Sequence, residues 1–317
     1  MLSLDLLVLV SLIYVAFLFG VAFWAERAVD AGRGGWMRTP LIYTLSLSIY
    51  CTAWTFYGAV GYAARSGLEF LTIYLGPTAV LIGWWLILRR LVRIARAERI
   101  TSIADLISSR FGKSAFLGGL VTVMAVVGTT PYIALQLQSV TLSVSAFAKD
   151  AQSIVSTSNI ALWIAAGLTV FTIIFGTRNL DVNERHSGVV MAIAVEAIVK
   201  LLALLAVGAF VVWGLAGGVG DVLTRIDASP ISQWQVSTGR WVGLTFLSAA
   251  AFLCLPRMFQ VMVVENSEES HLATAGWAFP LYLLLMSLFV IPIAVVGLDI
   301  LPAGSNPDLF VLTLPLS

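Results

Sequence analysis

Two ionisable side chains, Glu196 and Lys200, stand four residues apart inside the long apolar run 187–214. That spacing puts both on one helix face, with Glu N-terminal to Lys, the order that favours an intrahelical ion pair. An unpaired charge in hydrocarbon costs about 3 kcal/mol or more, so the two are expected to neutralise each other. Two roles are open to the pair. It is either a structural lock that fixes how its helix docks, or a coupling charge that answers an ion or solute in the core. A proton relay needs a chain of ionisable groups, and no third one lies deep in an apolar run. Tyr132 and Gln136 are also four apart on one face, just after Pro131, which should kink its helix and free the carbonyl near Val127. The Gln136 and Gln138 amides serve either as hydrogen-bonding glue between helices or as the lining of a cavity.

The stretch from Leu45 to Tyr62 carries Ser46, Ser48, Tyr50, Cys51, Thr52, Trp54, Thr55, Tyr57, Gly58 and Gly61. A helix facing lipid would be rich in Leu and Val, so this one faces protein or water. It is either a packing helix whose small residues allow close approach, or a broken helix whose freed carbonyls face a ligand, a break tolerated only beside a cavity. Catalytic patterns are absent: there is no G-x-S-x-G, Walker loop, H-E-x-x-H or carboxylate cluster, and nothing resembles the phosphoacceptor or ATP-binding boxes of a histidine kinase. Cys51 and Cys254 both fall inside apolar runs, and His186 and His271 are the only histidines, which argues against a disulfide framework, zinc or haem. No catalytic activity and no cofactor are expected of this chain. A net charge of +1 gives no sign of a nucleic-acid partner.

The elements that position these groups follow from composition. Hydrophobic residues make up 59% of the 317 and charged residues 11%, against about 25% charged in a soluble domain. Eight apolar stretches, 2–24, 40–63, 68–88, 115–147, 159–176, 187–214, 241–264 and 272–298, are long enough to cross a hydrocarbon core of about 30 Å. The first is a span and not a cleaved signal, because Asp5 replaces a basic lead and no small-residue cleavage site follows it. Loops 25–39, 89–114, 177–186 and 255–271 hold thirteen of the Lys and Arg residues, whereas the opposite loops hold Arg65, Lys149, Arg225 and Arg240. The basic loops should be cytoplasmic, which places both chain ends, the N-terminus included, outside. Within the longest of them, Ser102 and Asp105 can cap a short helix that ends at Gly112, with Ile103, Leu106, Ile107 and Phe111 as its apolar stripe.

Span seven is interrupted too, by Ala249-Ala250-Ala251, Cys254 and Pro256. It runs opposite to span two, and a pair of interrupted helices in inverted repeats is the sequence signature of a transporter site. A single all-α membrane domain over 1–317 is expected. It comprises an extra N-terminal helix (1–30), a first five-helix repeat (40–214) and the start of an inverted second repeat (241–298). The stretch 299–317 ends within a further apolar segment, which reads as a fragment's end.

Several motifs resemble the sodium/solute symporter family, most closely its branch at the front of bacterial sensor histidine kinases. They are Tyr43 to Gly58, Ser102 to Gly112 ending in Arg-Phe-Gly, Pro131 to Val140, Phe175-Gly176-Thr177-Arg178, Glu184 to Gly188, and Leu255 to Asn266. The resemblance covers essentially the whole chain. It implies a LeuT-like, five-plus-five inverted-repeat fold in the bacterial inner membrane. It also implies a sodium ion held by the carbonyls of Ser48 and Cys51 together with hydroxyls beyond Ser317. A solute site of Thr52, Trp54, Thr55, Phe56, Tyr132, Gln136 and Phe252 is implied as well. The implied cargo or signal is an amino acid or other small nitrogenous solute, and the implied partners are a C-terminal kinase domain and its response regulator. Two functions remain open, sodium-coupled transport or ligand sensing without transport.

Overall fold

The structure, a computed structural model, describes residues 4–147, 157–171 and 187–316. Among these residues every regular element is a helix or helical turn. This is what a chain must do where no water is present to satisfy a free backbone. The motif residues Phe175 to Arg178 and Glu184 to His186, with Lys149, lie outside the described residues.

Helix α1 (Leu4–Asp30) leads through a 3-10 turn at Gly34–Arg38 to α2 (Pro40–Ser46). Pro40 begins α2 at a position whose N–H would have no partner in any case. The second apolar run is not one helix. It tightens to a 3-10 turn at Leu47–Tyr50, goes extended at Cys51 (φ −80°, ψ 95°), and resumes as a π turn at Trp54–Gly58 and α3 (Ala59–Ser66). Next come α4 (Thr72–Ile82) and α5 (Leu88–Glu98). Leu88, Val92 and Ala95 bury one stripe of α5, while Arg93 and Arg96 leave it on the other side.

Helix α6 (Ile103–Arg110) has the expected cap: Ser102 Oγ accepts from Asp105 N, Asp105 Oδ2 accepts from Thr101 N, and Gly112 takes a positive φ past its end. The long α7 (Ala115–Phe147) runs on through Pro131, with the Thr129 and Thr130 hydroxyls donating to carbonyls one turn back. Helices α8 (Thr157–Phe171), α9 (Ser187–Ala209) and α10 (Val219–Ala228) follow, α9 ending in a π turn at Phe210–Leu215. Helix α11 (Thr238–Cys254) meets α12 (Pro256–Phe259) and a further π turn (Gln260–Val264) at a bend of 59°. The chain then continues as α13 (His271–Ser287), α14 (Val290–Ile300) and α15 (Phe310–Thr313).

The core forms where α4 lies against α11 and α13, and where α2 lies against α9 and α13. A ladder of rings runs through it: Tyr50 edge-on to Phe252 at 5.4 Å, Phe252 on Phe279 at 6.1 Å, and Phe279 on Tyr282 at 5.8 Å. Gly76 lets α4 touch α11, since a Cβ there would stand 2.5 Å from Ala249 N. The outer faces stay apolar, with Phe116 81%, Trp163 75% and Phe246 70% exposed. A soluble surface does not carry such continuous patches, so these faces are lipid-facing and the chain is a multi-pass membrane protein.

Eight spans were expected, the second and seventh of them interrupted. Among the described residues four helices are long and apolar enough to cross (Val8–Asp30, Ala115–Val144, Gly188–Leu215 and His271–Ile300), and the bent Thr238–Val264 pair makes a fifth. Span two falls short as one helix because it breaks at Cys51. Span three falls short because its helix stops at Ile82, and the fifth span extends past the described residues. The sequence also left 215–240 as loop, yet α10 forms there because Val222 and Ile231 have a buried face to fill.

Two of the basic loops, 89–114 and 255–271, meet. Arg89 and Arg93 grip Glu269 there, and Arg96 donates to Asn266 at 2.7 Å. Other segments are held by Arg65 with Asp308, Arg240 with Glu69, and Arg225 with Asp221 and Asp299.

Candidate functional site

The site is built where the two interrupted runs meet. Thr52 cannot continue the helix from Tyr50 because Cys51 has turned extended, so the carbonyls at the end of the 3-10 turn lose their usual partners. Span seven breaks beside it: Leu255 goes extended (ψ 127°) and Pro256 starts the next helix. The two runs are tied along their length. Tyr43 Oη donates to Met262 O at 2.8 Å, and Tyr50 Oη lies 3.4 Å from Ser248 Oγ. The second half of each run is a π turn, a feature that clusters at functional sites.

Lysine 200 reaches the break from α9. Its Nζ donates to Cys51 O at 2.9 Å and lies 3.5 Å from Ser48 O, while Glu196 Oε1 stands 3.4 Å away on the same helix face. The four-residue spacing read from the sequence therefore brings a Glu–Lys pair together, and the ammonium's stronger contact is with the broken helix. Ser48 O also accepts from Cys51 N at 2.8 Å. The pair of carbonyls that the resemblance assigns to sodium thus faces an ammonium. A metal cation does not fit beside it, because the two like charges would share one small donor set.

On the other side of the break a guanidinium, a phenol and a hydroxyl form a chain. Arg257 Nη2 donates to Tyr132 Oη at 2.7 Å, and Tyr132 Oη donates to Thr52 Oγ1 at 3.1 Å. The Arg257 guanidinium also lies over the Tyr132 ring, 4.6 Å from its centre. No carboxylate pairs with Arg257 among the described residues. Its Nε is buried without a hydrogen-bond partner, as is Ser48 Oγ. Buried polar groups are normally satisfied, and an orphaned one calls for a ligand or a water.

Tyr132 is also the floor of a cavity of about 290 Å³ between α7 and the second half of span two. Trp54, Gln136, Gln138 and Ser139 line its walls, and Arg65 and Asp308 close its outer rim 2.8 Å apart. The Trp54 indole lies against Gly58, where a side chain would collide with the ring.

The sequence-derived site residues therefore divide. Trp54, Tyr132 and Gln136 share the cavity, and Thr52 joins it through the Tyr132 hydroxyl. Thr55 is buried beneath the break, with its N–H donating to Thr52 O at 2.9 Å. Phe56 packs edge-on to Tyr57 at 5.3 Å, and Phe252 is fully buried in the ring ladder; neither lines the cavity. Arg257, Arg65 and Asp308 went unnoticed as site residues. Pro256 was the one available signal for Arg257, since a proline inside an apolar run announces a break next to the residue that follows it.

No protein-family profile matches the chain, and no solved structure matches it. It is similar to an uncharacterized symporter of Bacillus subtilis strain 168, YhjB, with 26% identity over 302 residues. That alignment covers 92% of this chain and 58% of the relative, so the chain spans little more than half of the relative's length. Over nearly all of its length the chain is thus similar to a symporter-type membrane protein.

Proposed function

We propose that this chain is the solute-binding membrane module of a symporter-type transporter. In this reading spans two and seven are the paired broken helices of a five-plus-five inverted-repeat fold, seated in a bacterial inner membrane with the N-terminus outside. The observation that carries it is the break at Cys51-Thr52. It abuts a second bent helix and opens through Tyr132 onto a cavity large enough for a small solute. The similarity to a symporter supports the same reading.

The cargo that suits the site is an amino acid or a related small nitrogenous solute. Arg257, without a carboxylate partner among the described residues, offers a fixed positive charge for a carboxylate, with the Thr52 and Tyr132 hydroxyls beside it. Trp54 and Gln136 then supply an apolar wall and an amide for the remainder. In the whole protein this module would serve as the transport or sensing input of a sensor histidine kinase, with a C-terminal kinase domain and a response regulator downstream.

A second reading, a sensing domain that moves no solute, is favoured by one observation: an ammonium already holds the carbonyls at which a driving ion would act. Uptake separates the two. Full-length protein in proteoliposomes should accumulate a labelled amino acid above protein-free vesicles when an ion gradient is imposed. Binding without accumulation would establish the sensor, and neither would reject both. Trp54→Ala should weaken solute binding by about 1–3 kcal/mol and leave thermal stability less affected. An equal loss of both would make the indole a packing residue.

A further inference from the structure

The carbonyl pair at the break is already neutralised from within the chain. Cys51 is fully buried and extended, so its carbonyl has no helical N–H to accept from. Such a group buried without a partner is costly, and the partner it has is Lys200 Nζ at 2.9 Å. Ser48 O, the other carbonyl facing that point, lies 3.5 Å from the same nitrogen. Glu196 stands 3.4 Å behind the ammonium, so the assembly is a balanced set of one cation, one carboxylate and two peptide dipoles. Lys200 stands on α9, which packs against α2 and the turn that follows it. The cation is therefore covalently tethered and cannot diffuse away.

We propose that the Lys200 ammonium is the resident occupant of the cation site at the Cys51 break, so that this module keeps its broken helix without bound sodium and engages its solute in sodium's absence. A second monovalent cation at the same carbonyls would face the ammonium across a few ångströms in a water-poor site, where like charges repel most strongly. The donors also differ from a metal site in kind. An ammonium asks for two or three acceptors in its own tetrahedral directions, and the two carbonyls with Glu196 supply that set. The inference deepens the carrier reading and rests on it for its consequence, while its test reads ion binding and not solute movement.

The test uses full-length protein in detergent, with radioactive sodium as the probe and choline chloride holding ionic strength constant. Wild type should retain sodium only at the level of a protein-free control, and its thermal midpoint should be the same in sodium and in choline. Lys200→Ala should gain saturable sodium binding and a sodium-specific rise in its midpoint. Glu196→Gln combined with Lys200→Met removes both charges at nearly constant volume and serves where the single variant does not fold; it should gain sodium binding as well. Saturable binding by wild type overturns the proposal. So does background binding by wild type and folded variants alike, because the vacated carbonyls would then be no cation site at all. Solute binding plays no part in these readings, so loss of the carrier reading would leave them intact.

Discussion

Lys200 connects two things that the sequence presented separately, an intramembrane charge pair and an unwound helix. Its spacing from Glu196 was plain in the sequence, because helix geometry alone brings residues four apart together. Its reach to Cys51 O was not, since that contact bridges residues 149 apart in the chain. The consequence is asymmetric. Replacing Lys200 alone with Met strands the Glu196 carboxylate and orphans the Cys51 carbonyl, and should cost up to about 3 kcal/mol of stability. Replacing both charges with neutral residues should cost less than the single change. A double-mutant cycle on thermal midpoints in detergent checks this, and simple additivity would show that the two side chains do not interact.

Helix by helix, apolar periodicity revealed the long segments and missed the interruptions' exact nature. Helices α1, α7 and α9 stand where their runs lie, and α7 continues as one helix through Pro131. Span two was suspect for its hydroxyls and glycines. Its residue pattern did not give the position of the break, which only the resemblance, through the Ser48 and Cys51 carbonyls, indicated; the contacts that meet it there come from Lys200 and Tyr132 on other helices. In the amphipathic α5, arginines mask in the sequence a buried stripe of Leu88, Val92 and Ala95, so its apolar pattern does not stand out from the basic loop 89–114. Close packing of α4 on α11 likewise escaped notice, although Gly76 permits it. Gly76→Ala would put a methyl 2.5 Å from Ala249 N and 2.8 Å from Ser248 C, backbone that cannot turn aside, and 2.5 Å from the Ser248 hydroxyl. We expect a loss of about 1–3 kcal/mol in stability, read as a lower thermal midpoint. No change in midpoint would mean that the two helices separate without cost.

For the molecule as a whole, the arginines of α5 tie the 89–114 segment to the 255–271 segment. Glu269 is the knot between them. The Arg93 and Arg89 guanidiniums hold its carboxyl well below the ordinary 4.5, at about 2. A carboxylate whose folded value is depressed contributes stability that is complete above its unfolded value and lost as pH falls through the folded one. The contribution should therefore be whole at neutral pH and fade between 4.5 and about 2. Glu269→Gln should flatten the stability profile over that window and lower stability at neutral pH. A variant whose profile matches wild type would show the three side chains to be uncoupled. Other segments are tied by separate pairs, among them Arg65–Asp308 across the cavity rim and Arg240–Glu69, so the two sets are separate clamps on one bundle.

Equilibrium binding of labelled amino acids to the full-length protein, in parallel with Tyr132→Phe, tests most directly whether the broken helix builds a solute site. Wild type should bind at least one of them saturably. Tyr132→Phe, which loses the hydroxyl linking Arg257 to Thr52, should bind it about tenfold or more weakly, the equivalent of about 1.4 kcal/mol. Absence of binding for every amino acid, or equal binding by wild type and Tyr132→Phe, would contradict the site described here.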